Sequence, residues 1–135
     1  MNMAETADSS KILVIEDNRD SRDILSKLLR MSGYDVMSAS DGEIGYTSAL
    51  KHEPDLIITD IHMPRMDGIE FVKRIRLEEA LAETPILVVT AFGSNVAREA
   101  IEAGADASAE KPFDFDKFLD TVQVLISRGR KAFQP

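Results

Sequence analysis

Four short apolar runs organise the chain: Ile12-Leu13-Val14-Ile15, Leu56-Ile57-Ile58, Ile86-Leu87-Val88-Val89 and the weaker Asp35-Val36-Met37. The first three are continuous and rich in β-branched residues, with no polar alternation. That pattern predicts strands covered on both faces, as in a parallel sheet. Segments of helical period separate them. Ile24, Leu25, Leu28 and Leu29 form one apolar stripe, closed by Gly33, and Ile69, Val72 and Ile75 form another. Val96, Ala97, Ala100 and Ile101 form a third, with Ser94 as its candidate N-cap and Gly104 just past its end. The last stripe is Phe115, Phe118, Leu119, Val122, Leu125 and Ile126, with Asp114 near its start. Asp41 to Leu50 predicts a weaker helix, because Gly42 and Gly45 lower its propensity. Strand then helix thus repeats five times, and the fifth strand, around Ala107 to Ala109, is the least hydrophobic. This alternation predicts an α/β fold with a parallel sheet between two helical layers, and right-handed crossovers make it doubly wound.

The 135 residues suit one domain with a core that needs no cross-links. We divide the chain into a disordered lead-in at 1–10, a domain at 11–128 and a short basic tail at 129–135. The formal net charge of -8 argues against direct nucleic-acid binding, which depends on Lys and Arg neutralising phosphates. The absence of cysteine excludes disulfides and thiolate metal sites and fits a reducing, cytoplasmic setting. No apolar run approaches the roughly 18 residues of a membrane span, and the polar, acidic start is not a secretory signal. The basic stretch from Arg128 to Lys131 reads as a solvated helix terminus, too short for a lipid-binding patch.

In an open parallel sheet, ligands sit beyond the carboxyl ends of the strands. Glu16 and Asp17 follow the first run, Asp60 the third strand, Thr90 the fourth, and Lys111 and Pro112 the fifth. Three carboxylates, a hydroxyl and an amine therefore converge on one edge. The carboxylates repel, with roughly 4 kcal/mol between two unit charges about 4 Å apart at an intermediate dielectric. A hard divalent cation such as Mg²⁺, together with Lys111, would offset that repulsion. An oxygen nucleophile, a metal and a cation are what phosphoryl transfer asks for. The turn from Glu16 to Asp20 has no glycine, so it is neither a dinucleotide fingerprint nor a P-loop. His52 and His62 are too few and too far apart for a zinc site. Taken singly, each residue also has a purely structural reading. Asp17 or Asn18 could be a helix cap, Thr90 a strand former, and Lys111 a surface lysine before a turn proline.

Taken together, Glu16-Asp17, Asp60 with Met63-Pro64 and Asp67-Gly68, Thr90-Ala91 and Lys111-Pro112-Phe113 resemble the response-regulator receiver family. The resemblance runs from about Lys11 to Ser127. It implies a flavodoxin-like five-stranded sheet of order 2-1-3-4-5 with five helices. It implies that Asp60 accepts a phosphoryl group from a sensor histidine kinase or a phosphotransfer protein. It implies a Mg²⁺ cofactor held by Asp17, Asp60, the backbone carbonyl of His62, and Glu16 through water. Thr90 and Lys111 then contact phosphoryl oxygens. The Lys111–Pro112 bond is typically cis in the family, which aims the lysine inward.

One position departs from that pattern. Ser108 stands where the family usually carries a switch Tyr or Phe, three residues before the lysine. Phe92, two residues after Thr90, is the candidate to take over part of that ring's packing, and a bulky group there would also shield an acyl phosphate from water. The resemblance places the output on the face of the fourth helix, fifth strand and fifth helix, and leaves room for a phosphorylation-dependent homodimer. Because the last predicted helix ends the domain, two readings stand: a stand-alone receiver, or a receiver excised from a larger regulator or hybrid kinase. Rivals are a degenerate receiver that binds partners without phosphorylation, and a hydrolase using Asp60 as nucleophile. The hydrolase would need a second acid–base group beside Asp60, and none is evident. The expected protein is a phosphoacceptor that catalyses its own phosphorylation and slow autodephosphorylation, not a turnover enzyme on small substrates.

Overall fold

The computed structural model describes residues 9–63, 65–91 and 95–133. Most of the proposed lead-in, together with Pro64, Phe92 and the candidate cap Ser94, lies outside the described residues.

Five strands form one sheet: β1 (Lys11–Ile15), β2 (Asp35–Ala39), β3 (Leu56–Asp60), β4 (Ile86–Thr90) and β5 (Ala107–Glu110). All pairings are parallel and the order is β2-β1-β3-β4-β5. The helices are α1 (Arg19–Met31), α2 (Gly42–His52), α3 (Gly68–Leu77), α4 (Val96–Ala103) and α5 (Phe115–Arg128), with short 3₁₀ turns at Glu79–Leu81 and Gly129–Lys131. The expected alternation, strand number and doubly wound order are all present.

Strand residues alternate between two apolar cores. Leu13, Ile15, Ile57, Ile86 and Val88 face one side, packed with Phe71, Val72 and Ile75 of α3 and Ala100 of α4. Ile12, Val14, Leu56, Ile58, Leu87 and Val89 face the other, packed with Leu29 of α1 and Phe118, Val122 and Leu125 of α5. Burial on both faces is why these strands read as unbroken apolar runs. The edge strand β5 has neither face fully covered, which is why it reads so weakly. The propensity cost in α2 has a packing reason. A Cβ on Gly45 would stand 2.5 Å from the Ile15 side chain, so the helix can lie this close to the sheet only with glycine there.

Side-chain caps start four helices at the carboxyl edge of the sheet. Asn18, Asp41, Asp67 and Asp114 each accept from a backbone N–H in the first turn of α1, α2, α3 and α5. The opposite edge carries a buried ionic cluster. Asp106 accepts from Arg76 at 2.8 Å, from the Ile86 N–H at 2.8 Å and from Arg130 at 2.9 Å. Burial pushes the Arg76 guanidinium down to about 10, against the pull of Asp106, so it remains charged at neutral pH. Arg130 therefore departs from the expected solvated terminus, because the Gly129–Lys131 turn folds it back under the sheet.

Candidate functional site

The carboxyl ends of β1, β3 and β5 meet at one point. β1 pairs with β3 in register Ile15–Thr59, so the residues that follow, Glu16 and Asp60, emerge side by side. Carboxylate oxygens of Glu16, Asp17 and Asp60 all lie within 4.8 Å of one another. Lys111 enters from β5. Its Nζ donates to Glu16 Oε1 at 2.9 Å and to Asp60 Oδ2 at 3.3 Å. The Lys111–Pro112 peptide bond is cis. Thr90 is buried at the end of β4, one residue beyond Val89, which pairs with Asp60. Its carbonyl accepts from the Lys111 N–H at 2.8 Å, which joins the β4 and β5 ends of the site.

Glu16 is buried and Asp60 half-buried, and the two carboxylates are held differently. Glu16 accepts a short hydrogen bond on each oxygen, from Lys111 on Oε1 and from the Asn18 N–H on Oε2, both at 2.9 Å. Burial raises its pKa, but the Asn18 N–H and the Lys111 ammonium outweigh that effect and leave it below the ordinary value. Among the described residues, Asp60 accepts longer hydrogen bonds from Lys111 and from the His62 N–H, both at 3.3 Å. Burial and the Glu16 charge raise its pKa, against the partial relief from Lys111. Asp17 is raised as well, by desolvation and by Glu16 beside it. Lys111 is lowered by burial but raised more by Glu16 and Asp60, and stays a cation. The donor set is all oxygen, crowded and under-neutralised, which fits a hard divalent cation rather than a softer metal.

The remaining candidates are placed as follows. The His62 N–H points at Asp60 Oδ1, while its side chain is exposed. Ser108 is exposed on the edge strand. Phe92 lies outside the described residues, and its suggested packing role with it. Sequence patterns did not single out Arg22, whose Nη1 donates to the Glu16 carbonyl at 2.9 Å and pins the acidic turn to α1. A long basic side chain on a solvated helix face carries no periodic signal. Asn18 does cap α1, so one of the structural readings holds alongside the site. Gly68 crosses close behind the site: a Cβ there would stand 2.5 Å from the Asp60 carbonyl oxygen.

An apolar cleft of about 580 Å³ opens beside Asp60 and Lys111. Ile24, Leu25 and Leu28 of α1 line one wall, and Pro112 and Phe113 the other. This differs from the stripe expected for α1. Leu29 is buried, but Ile24 is 61% exposed at the cleft mouth. Among the described residues, no helix is long and apolar enough to cross a membrane.

Comparison with known proteins agrees with this geometry. Residues 12–123 match the family model described as the response regulator receiver domain. The chain is 38% identical over 119 residues to the DNA-binding dual master transcriptional regulator RpaA of Synechocystis, covering 87% of this chain and 49% of RpaA. It is 30% identical over 119 residues to the polar-differentiation response regulator DivK of Brucella ovis, covering 87% of this chain and 97% of DivK. It thus spans about half the length of the first relative and nearly all of the second. Among solved structures it is similar to the receiver domain of a sensor histidine kinase from Pseudomonas aeruginosa, which has a magnesium ion coordinated in its active site cleft. The TM-score is 0.82 at 30% identity, covering 88% of this chain and 98% of that one.

Proposed function

This chain belongs to the response regulator receiver domain family, and from that premise we propose how its own residues carry out the phosphoacceptor role. It is a phosphoacceptor rather than a turnover enzyme. Asp60 is the nucleophile. One of its carboxylate oxygens forms the new O–P bond as the donor's P–N bond breaks, which leaves an acyl phosphate on Asp60 and the electron pair on the donor imidazole. Asp60 is suited to this because its hydrogen bonds among the described residues are long, whereas each Glu16 oxygen accepts a short one. Lys111 already spans the two acids and can follow the phosphoryl oxygens without leaving the site. The Thr90 hydroxyl donates to another phosphoryl oxygen. Asp17, Asp60 and the His62 carbonyl would hold Mg²⁺, with Glu16 beside them as an outer carboxylate. When bound, the cation neutralises charge on the phosphoryl oxygens.

The observation that carries this reading is the packing of three carboxylates within 4.8 Å with Lys111 between two of them. The partner is a histidine kinase or a phosphotransfer protein working in the cytoplasm. The apolar cleft between α1 and Phe113 gives such a donor a foothold beside Asp60. Downstream signalling runs through the α4–β5–α5 face to a protein target. Phosphodonor labelling with Mg²⁺, read by intact mass, tests the assignment. Wild type gains one phosphoryl group and Asp60→Asn gains none. Labelling that survives Asp60→Asn would sink it.

A further inference from the structure

The segment that leaves Asp60 is clasped by the turn that enters α2. Arg65 holds a left-handed backbone at φ 70°, a conformation that residues with side chains rarely keep unless their surroundings impose it. Its Nη1 donates to Asp41 Oδ2 at 2.9 Å. Asp41 is buried, and its other oxygen accepts the Ile44 N–H at 2.8 Å to cap α2. The next residue, Met66, is buried against Gly42, where an added Cβ would stand 3.0 Å from both the Met66 Cβ and its carbonyl oxygen. At the far end, the Gly68 N–H donates to the Ile61 carbonyl at 2.8 Å. The described residues between Ile61 and Gly68 are thus held at three points, and His62 is among them, its N–H on Asp60 Oδ1.

We propose that Arg65 is a positioning residue for the cation site: its ion pair with Asp41 holds the strained segment after Asp60, which keeps the His62 carbonyl in place for the metal. This rests on the Mg²⁺ reading given under Proposed function. Of the three pins, the Gly68–Ile61 bond is local backbone, and Met66 packs on Gly42 inside the core. The Arg65–Asp41 pair makes its link to the α2 turn through an exposed side chain, so it can be removed without opening the core.

The sign of the effect separates positioning from charge. Arg65 is a cation on a chain of net charge -8, and its loss by Coulomb's law alone would strengthen Mg²⁺ binding. Loss of a positioning contact would weaken it. Mg²⁺ is therefore titrated into the metal-free full chain, wild type, R65Q and R65K, followed by amide NMR shifts of residues 61–63. R65Q should raise the Mg²⁺ Kd by about tenfold, the usual scale for residues that orient a metal ligand. R65K, which keeps a cation for Asp41, should stay closer to wild type. Amide exchange at Gly68 should be faster in metal-free R65Q. An R65Q affinity equal to or tighter than wild type overturns the proposal, whatever happens to thermal stability, and so do equal affinities for R65Q and R65K. A wild type that binds no Mg²⁺ would instead overturn the reading on which the proposal rests.

Discussion

Lys111 donates to Glu16 at 2.9 Å across 95 positions of sequence, a shorter contact than the one it makes to Asp60. The ammonium thus already occupies charge that a divalent cation would use. Glu16 anchors the lysine and Asp60 is only brushed by it, which leaves Asp60 the freer carboxylate of the two.

Replacing Lys111 with Met removes the competing cation. Mg²⁺ should then bind more tightly, by about tenfold if the pair contributes roughly 1.4 kcal/mol. The same variant should lose the phosphorylation-dependent shift of β4 and α4 amides, because nothing then bridges β5 to the phosphoryl group. Calorimetric titration and NMR before and after labelling check the two halves. Unchanged or weaker Mg²⁺ affinity would contradict the competition.

Burial and the nearby Glu16 charge raise the Asp60 pKa above its ordinary value. A carboxyl whose pKa is higher folded than unfolded binds more protons in the native state. Stability therefore falls as pH rises through the interval between the two values, and the full cost persists above the folded value. Asp60→Asn removes that cost. In metal-free buffer the variant should be more stable at neutral pH by on the order of 1 kcal/mol, and the gap should close in acid, below the unfolded carboxyl value. Mg²⁺ should narrow the gap at neutral pH by stabilising the wild type through binding. Urea unfolding at several pH values, with and without Mg²⁺, measures all three effects. Equal stability in metal-free neutral buffer would refute the burial cost.

Gly68→Ala places a methyl 2.5 Å from the Asp60 carbonyl oxygen and 2.7 Å from the Ile61 Cα. Both neighbours are backbone, so the clash is relieved only by moving the end of β3. The expected cost is about 2–3 kcal/mol, with slower phosphorylation because the nucleophile moves too. Thermal unfolding and the labelling rate test this together. A variant with wild-type stability and rate would show that the crossing of α3 over Asp60 is not rigid.

The one-dimensional pattern was enough for the strands, their parallel pairing and the edge where the chemistry collects. Ile12 to Ile15, Leu56 to Ile58 and Ile86 to Val89 are apolar without alternation because both faces are covered, and that burial leaves its mark on composition alone. Glu16, Asp17, Asp60, Thr90 and Lys111 could be nominated because strand ends are where such a sheet exposes its ligands. Their mutual contacts are another matter. Which acid holds Lys111, which is left loosely bonded, and that Arg22 pins the acidic turn are facts of distance between residues far apart in sequence. The Arg65–Asp41 clasp and the Asp106 cluster escaped sequence reading for the same reason. An arginine on a loop or near a helix end looks alike whether solvated or paired, because its charge has no period and its partner is chosen only when the helices dock. Ile24 shows the converse: its helical spacing put it in the apolar stripe of α1, yet it stands 61% exposed beside the cleft that Phe113 also lines. Local sequence determined the elements, through burial and capping. Only the packing of those elements decided how charge is shared at the site.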